Sequence, residues 1–273
     1  MNAREKIIQG TRVPTLGMGT YELEGRACRE AVTAALEMGY RHIDTARAYG
    51  NEASVGAAIA ESGILRDRLF ITSKVWFDKL RPDDVLSEVD ASLRSLRTDY
   101  LDLALIHWPN EEIPLADTLT TFKRLRDEGI IRHVGVSNFT PELLDQALRA
   151  GPIFCNQVEY HVLLRRNRLH QMAVEHDLLM TAYSPLAQGD LGDHRPLSDV
   201  ARKHGCSVEQ AALAWLLGQA QVAAIPRSGN PEHLRSNLAA LEIVLDEEDR
   251  RRIEELPDGR HVVDPEFAPA WEK

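Results

Sequence analysis

Residues 70–107, FITSKVWFDKLRPDDVLSEVDASLRSLRTDYLDLALIH, decide the fold. The two ends, 70–74 and 101–107, are short runs rich in β-forming residues. Between them, residues 83–97 carry Val85, Leu86, Val89, Leu93 and Leu96 at three- and four-residue spacing. That spacing gathers the apolar groups on one helical face, suited to covering a sheet. Strand, helix, strand over this length predicts two parallel strands joined by a crossover helix.

The alternation continues in both directions. Further strands are expected at residues 16–19, 42–44, 131–137, 154–159, 179–183 and 222–226, which brings the set to eight. Successive strands lie roughly 25 to 30 residues apart, room for one helix and two short loops. Only the last interval is longer, and it reads as two helices, 197–204 and 207–218. Helix starts are marked by Thr140-Pro141 and Asn230-Pro231, a capping side chain before a proline whose missing N–H is not needed there. Ser207 with Gln210 has the spacing of a capping box. Eight βα units without a linker predict an α/β fold, a single (β/α)8 TIM barrel over residues 1–273 with short loops and a C-terminal tail over its mouth. The rival, an open doubly wound sheet, would gain from a glycine fingerprint after the first strand. Gly17-Met18-Gly19-Thr20-Tyr21-Glu22 lacks the third glycine.

Composition sets the outer limits. At 273 residues and 30.6 kDa the chain can bury about three-quarters of its unfolded surface. Lys plus Arg number 32 against 42 Asp plus Glu, a net charge of −10 without a basic block, which argues against nucleic acid and anionic membranes as partners. Cys28, Cys155 and Cys206 are odd in number and contain no CxxC pair, as expected of a reducing compartment. The first ten residues are too polar for a signal-peptide core, and the apolar stretch 211–226 is broken by Gln219 and Gln221. A soluble, cytoplasmic chain is expected. No heptads or long amphipathic arms appear, and a monomer is the default.

In a parallel barrel every strand ends on the same face, so the last polar residue of each run is expected to enter a shared pocket. Neighbouring strands two, three and four supply Asp44, Lys74 and His107, and Tyr49 follows Asp44 on the connecting loop. A phenol is a poor acid at neutral pH, but an adjacent ammonium stabilises phenolate. Lys74 is expected to draw the Tyr49 pKa down toward neutrality, with Asp44 holding Lys74 charged and a neutral His107 donating to a carbonyl oxygen. Such a group suits C=O reduction. His42 and Asp44 hint at a metal, but no partner spacing follows and one of the two is expected outside the barrel, so no metal is expected. His133, His161, His170, His176, His194 and His204 are assigned no role.

The segment from Gly39 to Glu52, GYRHIDTARAYGNE, with Lys74 and His107 at their distances, resembles the aldo-keto reductase signature. The likeness continues through LRTDYLDLALIHWP from Leu96, VGVSNF from Val134, NQVEY from Asn156, YSPLAQG from Tyr183 and IPRS from Ile225. Short loops and the ending FAPAWEK are most similar to the bacterial 2,5-diketo-D-gluconate reductase B branch. The resemblance implies Tyr49 as general acid, Asp44 and Lys74 as its partners and His107 as carbonyl orienter. It implies NADP(H), with Ser137, Asn138 and Gln157 on the carboxamide, Tyr183 stacked on the nicotinamide, Ser184 and Leu186 at the pyrophosphate, and Arg227 with Ser228 at the 2′-phosphate. Gly19, Asp44, His233 and Asn237 occupy further cofactor positions. His233 and Ser236 stand where the family often has arginine and glutamate, so NAD(H) is a second cofactor.

Tyr21, Trp76, Trp108 and Trp271, with Tyr49 and His107, are expected to wall a shallow pocket for a small carbonyl such as methylglyoxal or 2,5-diketo-D-gluconate. Two rivals remain at this stage. One is a barrel lyase using Lys74 as a Schiff-base nucleophile. The other is a nicotinamide-binding redox sensor with little turnover.

Overall fold

The chain begins with a hairpin that the sequence reading did not anticipate. In the computed structural model, which describes residues 4–271, β1 (Glu5–Ile8) pairs antiparallel with β2 (Thr11–Pro14). Gln9 and Gly10 turn between them, both left-handed at φ 45° and 80°, the turn whose twist matches that of paired strands. Glycine adopts this freely and glutamine does not, so the sequence lacks the Asn-Gly or Asp-Gly signature that reveals such a hairpin.

Every expected strand is present. They are β3 (Met18–Gly19), β4 (His42–Asp44), β5 (Phe70–Val75), β6 (Leu101–Ile106), β7 (Ile131–Ser137), β8 (Cys155–Glu159), β9 (Leu179–Tyr183) and β10 (Val222–Ala224). They lie side by side in chain order, all parallel. Parallel bridges from Leu16 to Ala224 and from Gly19 to Arg227 join first strand to last, with the Gly17 N–H donating to the Ala224 carbonyl at 2.9 Å. The sheet thus closes into the (β/α)8 barrel. Gly19 has a structural reason to be glycine, because a Cβ there would lie 2.7 Å from the Ile225 carbonyl oxygen across the seam.

Outside the sheet run α1 (Gly25–Met38), α2 (Glu52–Glu61), α3 (Pro82–Leu96), α4 (Leu115–Asp127), α5 (Pro141–Ala150) and α6 (Asn167–Glu175). The long final interval holds α7 (Arg195–Lys203) and α8 (Val208–Leu217), and α9 (Pro231–Ala239) and α10 (Glu247–Glu254) follow β10. Thr140 and Asn230 cap α5 and α9 as expected, and Ser207 with Gln210 completes a capping box on α8.

Two cores follow from the period of two along each strand. Phe70, Leu103, Leu105, Phe154, Cys155, Leu179 and Ala223 fill the barrel interior, and Ile8 and Val13 of the hairpin join them. Alternate residues such as Ile43, Ile71, Ala104, Ile106, Val134 and Val158 pack outward against the helices. His42 and Asp44, two apart, therefore share the inner side, correcting the expectation that one faces out. His42 is buried on the Pro14 carbonyl and the edge of Phe70. Among the described residues no helix is long and apolar enough to cross a membrane.

Candidate active site

The inward rows end in polar groups. Phe70 and Thr72 lead to Lys74, Leu103 and Leu105 lead to His107, and His42 leads to Asp44. Strand register sets the three side by side: Asp44 pairs with Thr72, and Lys74 with Leu105. Lys74 and Asp44 form a buried ion pair. The ammonium also donates to the Thr45 carbonyl at 2.9 Å and to the Tyr49 hydroxyl at 3.4 Å. All three N–H bonds have acceptors.

Tyr49 ends a one-turn helix, Arg47–Tyr49, that Gly50 closes at φ 66°. Asn51 fixes this loop. Its amide donates to the Thr20 and Leu23 carbonyls at 2.7 and 2.9 Å, and its oxygen accepts from the Thr45 hydroxyl at 2.8 Å. Glu52, also buried, accepts from Ser73 and Arg47 at 2.6 and 2.9 Å. Sequence reasoning quoted this Asn-Glu pair without giving it work; two polar residues in so short a loop were the available signal.

Burial raises the Tyr49 pKa above its ordinary 10, outweighing the opposing charge of Lys74. The expected drop toward neutrality is therefore corrected, because burial of the phenol, joined by the Asp44 charge, opposes Lys74. For Lys74 the balance runs the other way. Burial lowers it, but Asp44 and Tyr49 together hold it above its ordinary value. His107 lies well below the usual imidazole range, through burial first and the Lys74 charge second, and its Nδ1 is buried without a hydrogen-bond partner.

Aromatic rings surround this cluster. Tyr21 meets Tyr49 edge-on at 5.1 Å, Trp76 meets His107 at 4.8 Å and Tyr49 meets His107 at 5.6 Å. The tail crosses the mouth as expected and brings Phe267 to within 5.8 Å of Trp76, 4.8 Å of Phe77 and 5.4 Å of Trp108, while Trp271 lies 6.2 Å from Trp108. Phe77 and Phe267 were not foreseen. Their only sequence signal was an aromatic next to Trp76 and another in the tail.

The residues expected at a cofactor form a row along the remaining strand ends. Ser137 donates to the Gln157 carbonyl at 2.9 Å. Asn138, left-handed at φ 64°, donates to the His107 carbonyl at 2.9 Å and accepts from the Tyr183 hydroxyl at 2.7 Å. Gln157 donates to Asp44 at 2.7 Å, linking the row to the Asp44–Lys74 pair. After β9, Ser184, Ala187 and Gln188 all have positive φ, a strained bend that includes Leu186. Arg227 is exposed and paired with Glu22 across the seam, while the buried Ser228 hydroxyl accepts from the Asn230 N–H at 3.0 Å. His233 is exposed in the first turn of α9. Asn237, also expected at the cofactor, is buried beside the Tyr40 hydroxyl. Among the described residues no three His, Cys, Asp or Glu side chains are grouped to hold a metal ion.

A methylglyoxal reductase DkgB from Escherichia coli O157:H7 is 39% identical over 266 residues, 95% of this chain and 99% of that protein. The solved structure of a candidate 2,5-diketo-D-gluconic acid reductase B superposes with a TM-score of 0.95 at 36% identity, covering 100% and 99% of the two chains. A silkworm (Bombyx mori) aldo-keto reductase complexed with NADPH superposes at 0.89 with 28% identity, covering 96% and 90%. Residues 15–258 match the Aldo/keto reductase family, whose members use NADP(H). The chain therefore belongs to the aldo/keto reductase family and is an oxidoreductase.

Proposed function

We propose that the chain reduces small aldehydes and ketones, of the methylglyoxal or diketogluconate type, with NADPH as first cofactor and NADH as second. The observation that carries this reading is the Tyr49 hydroxyl 3.4 Å from the Lys74 ammonium, among the rings of Tyr21, Trp76 and His107. A cytoplasmic, monomeric, single-domain enzyme fits the same reading. The relatives named for methylglyoxal and diketogluconate reduction support the substrate class.

The donor set suits a nicotinamide. Ser137, Asn138 and Gln157 offer hydroxyl and amide groups to a carboxamide, and the Tyr183 ring offers a face for stacking. Ser184 and Leu186 sit on the strained bend where backbone N–H groups can meet a pyrophosphate. Arg227 and Ser228, with the N-terminus of α9, suit a phosphate once Arg227 leaves Glu22. When bound, the reduced nicotinamide supplies a hydride to the carbonyl carbon.

The protein's own groups handle the oxygen. The neutral His107 donates a hydrogen bond that orients the carbonyl. Tyr49 delivers its proton as negative charge develops on oxygen, and the Lys74 ammonium stabilises the phenolate left behind. Asp44 keeps Lys74 charged. That charge removes the lone pair a Schiff-base nucleophile needs, which counts against the lyase alternative.

The test is loss of reduced-nicotinamide absorbance with NADPH and NADH against methylglyoxal, 2,5-diketo-D-gluconate and small aldehydes. Tyr49→Phe is expected to lower kcat by about two to four orders of magnitude, the range for a general acid, with NADPH affinity unchanged. Near-normal turnover in that variant would remove Tyr49 from the mechanism. Tight NADPH binding without turnover in the wild type would revive the sensor reading.

A further inference from the structure

Glu159 lies at the end of β8, facing into the barrel mouth in register with Tyr183, and its side chain is 0% exposed. Its carboxylate accepts the Val262 N–H at 2.7 Å on one oxygen and the Val263 N–H at 3.2 Å on the other. His161, equally buried, reaches the first oxygen at 3.1 Å, and the His261 ring lies 3.4 Å from the second. His161, which the sequence reading left without a role, is part of this clasp. Two backbone amides and two imidazoles thus surround a group that, ionised, only accepts.

The clasp is continuous with the aromatic wall. Val262 and Val263 stand just before the segment that carries Phe267 and Trp271. The His261 ring stacks on Trp271 at 5.3 Å. Arg166, whose Nε donates to the Glu159 carbonyl at 3.1 Å, places its guanidinium 4.7 Å from the same indole. The Glu159 side chain thus lies beside one group that faces Trp271 and its carbonyl accepts from another, while the Trp271 indole N–H donates to Asp264 at 3.1 Å.

We propose that Glu159 is a positioning residue for substrate: its carboxylate pins the tail so that Phe267 and Trp271 close the wall facing Trp76 and Trp108. This rests on the reductase reading above. Glutamine is nearly isosteric but turns one acceptor into a donor, which would confront a tail N–H and loosen the clasp.

Glu159→Gln is expected to raise KM for an aromatic aldehyde about tenfold, equivalent to about 1.4 kcal/mol, with kcat and NADPH affinity within about twofold. In a Phe267→Ala/Trp271→Ala background the same change should add nothing, because residues acting through one another are not additive. Tryptophan emission supplies a readout independent of turnover. Glu159→Gln should red-shift it, and Trp271→Phe should abolish that shift. Should Glu159→Gln not fold, Val263→Pro removes one donor from the tail side and is expected to shift KM and emission in the same direction. Unchanged KM with unchanged emission overturns the proposal, as does a KM increase that persists without Phe267 and Trp271. An inactive wild type overturns the reductase reading, while the emission comparison still decides whether Glu159 pins the tail.

Discussion

Burial and charge pull on Tyr49 in opposite directions, and burial prevails. A phenol held above 10 remains protonated at neutral pH, the state a proton donor needs. His107, held well below 6.5, remains neutral over the same range. Reduction is lost only as Tyr49 deprotonates at alkaline pH or His107 protonates in acid. The expected pH profile of kcat/KM for reduction is therefore flat between about pH 6 and 9, read from initial rates in constant-ionic-strength buffers. Lys74→Met would leave Asp44 charged and buried without its partner, at a cost of about 3–5 kcal/mol. A fall in Tm on the order of 10 °C follows, and Asp44→Asn/Lys74→Met should lose less than Lys74→Met alone. Differential scanning calorimetry decides both. At the seam, Glu22 competes with a phosphate for Arg227. Exposed pairs are worth about 0.2–1 kcal/mol, so Glu22→Gln should tighten NADPH by up to about fivefold and leave NADH unchanged, measured by quenching of tryptophan emission.

Among the elements, the β1–β2 hairpin has the clearest separable duty. Ile8 and Val13 are fully buried and close the end of the barrel interior opposite the site. Ile8→Ala should cost about 2–5 kcal/mol in urea unfolding while kcat at 25 °C stays near wild type. The hairpin was illegible because its turn is Gln-Gly and Ile7, on its outer face, is 63% exposed, so the strand shows no polar–apolar alternation. The eight barrel strands were legible for the opposite reason. Buried along their whole length, β5 and β6 read as short runs rich in β-forming residues, and an amphipathic helix follows each.

At the scale of the whole molecule, the clustering of Asp44, Tyr49, Lys74 and His107 was readable because parallel strands deliver their last residues to one rim. Asp44, Lys74 and His107 needed only strand order and a period of two. The wall was not readable in that way. Phe267 reaches Trp108 through a tail whose path depends on Glu159, and no periodicity connects residues 159 and 267. The direction of the Tyr49 shift was missed for a similar reason. Neighbouring charges can be named from strand order, but the depth of the pocket around a phenol emerges only when loops and rings are assembled. A position on α9 does not reveal which way the Asn237 amide turns, and here it lies buried beside the Tyr40 hydroxyl.

The four groups proposed for catalysis come from β4 to β6 and their loops, most of those proposed for cofactor from β7 to α9, and Phe267 and Trp271 of the wall from the tail. Proton delivery and coenzyme use would thus be written mostly in two successive portions of the chain, with the tail completing a wall that Tyr21, Trp76 and Trp108 begin. Exchange of the tail alone, with Glu159 kept, would give selection a way to retune the substrate without disturbing the chemistry, as a tool changes its bit and keeps its motor.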